Sequence, residues 1–377
     1  MKFSITAALA LEPSHRALLE LAGHRGGMSG HNSFVPEHSK AAYALGASYG
    51  ATYIEPDVIS TKDGYLMVCH GNELGRTSDV ADKPEYADRY TTKIINDGDG
   101  SINEETGWFS EDFTWAEIST LRLHATAHAG PLDGIYPFLK FEEMLDYMAE
   151  LSETLGWEIG VYPETKLSNY FASIGLPLEE KVVAVVASRG YCGYEGNEGT
   201  LGDTKNRITD NTLTDKFDNR VSDQKETDKT IKVTDSKAPG LCLSSLASNP
   251  GKILLQSFCP ESLQTLNTLC DLTTVMLVNG GAKGAAQISS MDKVTAISRY
   301  AQILSLPTSF DDVVFDAAVH MGKQAGMLVH AWVADDDANL YARLVRLKIS
   351  GAFTNNVAYG KGAIEMMESM RGEGESG

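Results

Sequence analysis

Nowhere in its 377 residues does the chain hold an apolar run of the roughly 18 residues that a membrane-spanning helix needs, so integral membrane association is not expected. Positive charge is scarce. Lys and Arg number 32 against 51 Asp and Glu, a formal net charge of −19, and such a surface repels phosphate groups at long range. Nucleic acid and anionic lipid surfaces are therefore not expected as main partners. Cysteine is sparse too. The five, at 69, 192, 242, 259 and 270, form no Cys-x-x-Cys and no zinc spacing, which argues against a structural metal knuckle. Cys192 and Cys242 bracket a polar stretch and either close it as a disulfide or remain free thiols. No glycine-rich dinucleotide fingerprint follows the first strand, which weakens an open doubly wound sheet.

What is present is ordinary globular composition, long enough for one domain of about 250 residues plus insertions, or for two domains. Residues 1–18 form an N-terminal segment. Its start, Met1 to Ala10, resembles a shortened signal peptide with one cation, a few apolar residues and an Ala-Leu-Ala. The alternative is an irregular or tag-derived N-terminus. The signal reading slightly favours a periplasmic or extracellular location over a cytoplasmic one.

From residue 19 the pattern alternates. A short apolar strand at Leu19–Ala22 precedes Pro36-Glu37-His38-Ser39, which opens a helix over Lys40–Ser48. Ala51–Ser60 returns as a strand, Lys62-Asp63-Gly64 turns, and Tyr65–Cys69 is a further apolar run. Later runs at Trp157–Tyr162, Ile253–Phe258, Thr274–Val278, Met327–Val333 and Ile349–Phe353 read as strands. Helical patterns separate several of them, at Phe138–Leu155, Leu178–Ser188, Phe310–Gln324 and Asp337–Leu347. Parallel βα units follow, and about eight strands favour a TIM-type (β/α)8 barrel spanning residues 19–365. Two stretches break the alternation, at about 71–137 and 193–250, and are expected as insertions, the second the more polar. Residues 366–377 read as an acidic tail.

Glu55-Pro56-Asp57 lies near the end of an apolar strand, where residues i and i+2 face one way. Two carboxylates converging in a buried strand repel each other and resist desolvation unless a cation sits between them. Glu164 and Lys166 repeat the spacing at the end of another apolar strand. Three carboxylates from two strand ends make an all-oxygen site, suited to Mg²⁺ or Ca²⁺ rather than zinc. Lys166 can neutralise a substrate anion. His24-Arg25-Gly26-Gly27 follows the first strand and His70 ends the run after the turn. Two histidines there are candidates for general acid and general base. Arg25 can hold a phosphate bidentately, with Gly26 and Gly27 letting backbone approach it.

These segments resemble the glycerophosphodiester phosphodiesterases. The resemblance rests on His24-Arg25-Gly26-Gly27, Pro36-Glu37, Tyr53–Val58, Thr61–Gly64, Val68-Cys69-His70 and Tyr162-Pro163-Glu164-Thr165-Lys166. Leu255–Phe258 looks like the family's later Gln-Ser-Phe strand and His330-Ala331-Trp332 like its strand-seven segment. It implies a barrel with its site at the carboxyl ends of the strands. By similarity Glu55, Asp57 and Glu164 bind one divalent cation, Glu37 supports or joins them, His24 and His70 are the acid–base pair, and Arg25 and Lys166 contact phosphate. Phe258 and Trp332 are candidates for the substrate pocket. The expected reaction converts a small glycerophosphodiester to sn-glycerol 3-phosphate and an alcohol. Departures are His38 where Asn is usual, Gly71 where Asp is usual, and Thr354-Asn355 for Thr-Asp; they bear on substrate preference.

Two rival readings share the site: a sphingomyelinase D- or lysophospholipase D-like enzyme on lipid diesters, and a barrel that binds phosphodiesters without turnover. Among weaker signals, Asp97–Ser101 hints at a calcium loop, but Ile102 and Trp108 occupy the positions that need Gly and Glu, so a turn is expected. Trp108, Phe109, Phe113 and Trp115 are expected as a small satellite core, the alternative being that some cover the barrel mouth and shape the substrate pocket. His31 and His38 lie close enough to the motif for substrate contact, though loop polarity explains them as well.

Overall fold

A computed structural model describes residues 19–28, 33–96, 102–126, 129–193, 253–334 and 336–374. The expectations for residues 1–18, His31, the Asp97–Ser101 turn, Cys242 and nearly all of 193–250 lie outside the described residues.

The strands are β1 (Glu20–His24), β2 (Tyr53–Glu55), β3 (Asp57–Ser60), β4 (Leu66–Val68), β5 (Thr91–Asn96), β6 (Ile102–Gly107), β7 (Gly160–Val161) and β8 (Glu164–Thr165), then β9 (Leu254–Ser257), β10 (Thr273–Leu277), β11 (Ile303–Pro307), β12 (Leu328–Ala334) and β13 (Gly351–Thr354). The α-helices are α1 (Lys40–Ser48), α2 (Trp115–Ile118), α3 (Phe141–Leu155), α4 (Ser168–Ser173), α5 (Glu179–Ala187) and α6 (Pro260–Leu269), followed by α7 (Gly281–Gln287), α8 (Met291–Ile297), α9 (Asp312–Gln324), α10 (Ala338–Arg346) and α11 (Val357–Gly374).

Parallel pairing runs from β1 to β2, from β2 to β7 and from β3 to β8, then through β9, β10, β11 and β12 to β13, which pairs back with β1. The expected Ala51–Ser60 strand is present as β2 and β3, divided at Pro56, and β7 and β8 are divided at Tyr162-Pro163. Proline brings no N–H to a ladder, but its carbonyl still accepts. The Glu164 N–H donates to Pro56 O at 2.9 Å and the Gln256 N–H to Pro163 O at 3.0 Å, so the sheet is locally thinned rather than broken. The result is the expected α/β barrel. The strand set differs from the expectation in two places: no expected run covers β11, which sits in the ring between β10 and β12, and β4 lies outside the ring. The apolar run at Tyr65–Cys69 forms β4, which pairs antiparallel with β3 and is not part of the parallel ring; the short Lys62-Asp63-Gly64 turn leaves no room for a crossover.

Helix α1 starts at the expected residue and the starts of α3, α5, α9 and α10 fall one to three residues inside their expected ranges, those of α9 and α10 at polar caps. Asp311 accepts from the Val313 and Val314 N–H groups, and Asp337 from that of Asn339. On α3 the buried positions Phe141, Met144, Leu145 and Met148 follow the i, i+3, i+4, i+7 stripe, each side chain contributing about 1.5–3 kcal/mol of burial. Helix α11 continues to Gly374, so most of the expected tail is helical. Among the described residues no helix is long and apolar enough to cross a membrane.

Two apolar layers result. Inside the ring Ala22, Tyr53, Tyr162, Leu254, Val275, Ile303 and Phe353 pack together, and outside it a larger core lies between sheet and helices. Residues 71–137 carry short 3-10 turns, the antiparallel hairpin of β5 with β6, and α2. Their aromatics are not a satellite: Phe109 and Phe113 are fully buried in the outer core, with Trp108 and Trp115 packed against it.

Candidate active site at the carboxyl ends of the strands

Strand register assembles the site. His24 lies beside Glu55, Asp57 beside Glu164, and Glu164 beside Gln256, each on the neighbouring strand. Glu55, Asp57 and Glu164 are all buried, and one oxygen from each lies within 4.8 Å of the others. The Arg25 N–H donates to Glu55 Oε2 at 2.8 Å and Gln256 Nε2 donates to Glu55 Oε1 at 3.2 Å and to the Tyr162 carbonyl at 3.2 Å. Lys166 Nζ stands 3.0 Å from Glu164 Oε1 and 3.5 Å from Asp57 Oδ1. Arg25 holds Glu37 at 3.1 Å through Nη1 and approaches Asp57 Oδ2 at 3.6 Å through Nε.

Four carboxylates thus face two permanent cations, and full ionisation leaves an excess of two negative charges, which suits a divalent cation held by oxygen ligands. Without it the cluster keeps protons. Burial and the neighbouring Asp57 push Glu55 well up, and burial, partly offset by Lys166, raises Glu164 to about 7. Burial also opposes ionisation of Asp57, but Lys166 and the His38 bond outweigh it and hold that carboxyl well below its usual range. Lys166 is buried too, yet Asp57 and Glu164 raise its pKa and keep it charged.

The turn after β1 is built by backbone geometry. Arg25, Gly26 and Gly27 all have positive φ, at 52°, 104° and 71°. A Cβ on Gly26 would meet Ala42 Cβ at 2.6 Å, and one on Gly27 would meet Val357 Cγ2 at 2.3 Å. The two glycines therefore let α1 and the start of α11 close on the turn.

Both histidines lie at this mouth, half-buried, and feel Arg25, Lys166 and Asp57. Burial, reinforced by Arg25, lowers His24 to about 3, and burial with Lys166 holds His70 well below its ordinary value, so both are neutral at pH 7. His24 Nδ1 donates to Asn355 Oδ1 at 2.7 Å, leaving Nε2 able to accept a proton. Arg76 Nη2 donates to His70 Nδ1 at 3.3 Å, which places the His70 proton on Nε2. Phe258 and Trp332 pack edge to face at 5.4 Å, with Lys166 Nζ 5.6 Å from the Phe258 ring.

The structure brings together His24, Arg25, Glu37, Glu55, Asp57, Glu164 and Lys166. Glu37 pairs with Arg25 and is outside the carboxylate trio. His38 lies in the turn before α1 but is buried, 2% exposed, with Nε2 3.0 Å from Asp57 Oδ2 and Nδ1 3.1 Å from the Tyr43 hydroxyl. Gln256, Asn355 and Arg76 were missed as site residues. Gln256 carried a signal, a polar residue alternating with Leu254 and Phe258 on an inward face. Arg76 carried none. Cys192 and the other three described cysteines are free thiols.

The fold and site define an α/β barrel with an acidic, cation-ready pocket at its strand ends. The chain belongs to the glycerophosphoryl diester phosphodiesterase family, whose sequence profile matches residues 24–191 and 203–359. It is 31% identical over 179 residues, 46% of either chain, to a glycerophosphodiester phosphodiesterase of Arabidopsis thaliana. The chain spans about half the length of the curated relatives first matched. Among solved structures, a glycerophosphodiester phosphodiesterase from Agrobacterium tumefaciens superposes with a TM-score of 0.52 at 16% identity, covering 91% of this chain and 99% of that one. A phosphodiesterase from Oleispira antarctica, in complex with the product sn-glycerol-3-phosphate, gives 0.53 at 15% identity over 92% and 96%. At such identities these two likenesses speak to the fold.

Proposed function

We propose that this protein hydrolyses glycerophosphodiesters to sn-glycerol 3-phosphate and an alcohol. The observation that carries the reading is the buried trio Glu55, Asp57 and Glu164 with Lys166 and Arg25 against it and two neutral histidines at its rim. Membership of the family and the product bound in the Oleispira phosphodiesterase support it. The trio would hold one divalent cation, which supplies positive charge to the phosphoryl oxygens when bound. Lys166 and Arg25 orient the diester and offset charge that develops on it. His24 takes a proton at Nε2 from the nucleophile, water or the substrate's own neighbouring hydroxyl, and His70 presents its Nε2–H to the departing oxygen. Phe258 and Trp332 form an apolar wall beside Lys166 for the diester's alcohol portion. The stretch 71–137 is an insertion that carries Arg76 to the back of His70.

The test is release of sn-glycerol 3-phosphate from glycerophosphocholine with Mg²⁺ or Ca²⁺, with chelator, and in a folded His70→Ala variant. Metal-dependent turnover that drops about 10²–10⁴-fold in the variant is expected. No turnover with either cation, alongside turnover of a lysolipid, would move the substrate class to lipid diesters.

A further inference from the structure

Resting on the reading of Glu55, Asp57 and Glu164 as metal ligands, we propose that His38 is a positioning residue that confines Asp57 to a single coordinating oxygen and so selects a Mg²⁺-sized cation over Ca²⁺. The contacts form a chain. Tyr43, fully buried, donates its hydroxyl proton to His38 Nδ1 at 3.1 Å, which leaves the imidazole proton on Nε2, and Nε2 donates it to Asp57 Oδ2 at 3.0 Å. Oδ2 is thereby committed to protein, with Arg25 Nε behind it at 3.6 Å, while Oδ1 faces Lys166 and Glu164. The other two carboxylates are committed in the same manner. Glu55 accepts from the Arg25 N–H and from Gln256, and Glu164 Oε1 accepts from Lys166. None of the three keeps two uncommitted oxygens for bidentate coordination.

Ca²⁺ takes about six to eight oxygens and readily uses bidentate carboxylates. Mg²⁺ is smaller, holds a strict octahedron, and keeps waters or substrate oxygens in its remaining positions. A buried frame in which every carboxylate is already held by a protein donor, Glu55 through both oxygens, resists the swing into bidentate coordination and matches the second requirement. His38 is the member of that frame set by this chain's own sequence, and its φ of 57° belongs to a region that Asn adopts easily. An Asn side chain there is shorter and does not span to Asp57.

The experiment measures Mg²⁺ and Ca²⁺ affinities by calorimetry for the wild type, His38→Asn and Tyr43→Phe, with folding checked by circular dichroism. The wild type is expected to favour Mg²⁺, and His38→Asn to move the affinity ratio toward Ca²⁺ by about tenfold or more. Tyr43→Phe, which leaves His38 in place without its donor, is expected to move it the same way by less, and decides the matter if His38→Asn does not fold. A ratio unchanged in folded variants, or a wild type that favours Ca²⁺, overturns the proposal and leaves the ligands standing. Failure of the wild type to bind either cation overturns instead the metal reading beneath it.

Discussion

His330 sits inside the barrel, 3% exposed, under the mouth but outside the cluster that does chemistry. Its Nδ1 accepts from the Tyr162 hydroxyl at 3.1 Å, and its ring fills the space a Cβ at Gly351 would take, at 2.8 Å. Burial alone lowers its pKa from 6.5 to about 3. The unfolded chain therefore takes up a proton on this side chain below about 6.5, whereas the folded chain does so only near 3. Stability from this group is full above that window and falls as the pH drops through it. Two units below 6.5, at 1.36 kcal/mol each, give a loss of roughly 2–3 kcal/mol between pH 7 and 4.5. His330→Gln keeps an acceptor for Tyr162 and removes the titration. His24 and His70, also lowered, incline both proteins' pH curves alike and cancel in the difference. Urea unfolding at both pH values should show the wild type losing that amount more than the variant. A stability gap that stays constant between pH 7 and 4.5 would refute the assignment.

Other consequences are as direct. Glu111 accepts from Asn72 at 3.2 Å, Lys93 at 2.9 Å and Tyr170 at 2.5 Å; Glu111→Ala strands the Asn72 and Tyr170 donors while Lys93 keeps Asp112 at 2.7 Å, and urea unfolding should show a loss of about 1–3 kcal/mol. Gly27→Ala drives a methyl into Val357 and should cost about 1–3 kcal/mol, seen as a lower melting temperature, and weaken divalent-cation binding because the displaced turn carries the Arg25 N–H away from Glu55. Saturating Mg²⁺, at about a hundred times its Kd, should stabilise the protein by about 2.7 kcal/mol and chelator should reverse this. At one fixed Mg²⁺ concentration that gain should grow between pH 6 and 8 as Glu164 sheds its proton near 7; a gain flat with pH would count against Glu164 as a ligand.

Much of the site was legible because strand periodicity is strict. Glu55 with Asp57, and Glu164 with Lys166, had to face one side, and short apolar runs fixed which side that was. The barrel followed from the same alternation. What escaped depended on contacts between distant segments. Asn355 reaches His24 only because β13 closes on β1, and Arg76 reaches His70 only through a turn of the irregular stretch. β4 was misjudged because apolar content alone does not distinguish a hairpin strand from a strand of a parallel ring. His38 is a turn residue, and nothing local announces that it is buried between Tyr43 and Asp57.

The break at Pro56 has a further consequence. In a parallel ladder the residue there would offer its N–H to the Tyr162 carbonyl, and proline has none to offer. Gln256 donates to that same carbonyl and, through the same nitrogen, to Glu55. A missing main-chain donor thus becomes a mooring point for a side chain from the next strand but one. Any other residue at position 56 would bring a rival donor to that mooring, so the orientation of an acidic side chain depends on the one residue type between Glu55 and Asp57 that has no proton to give.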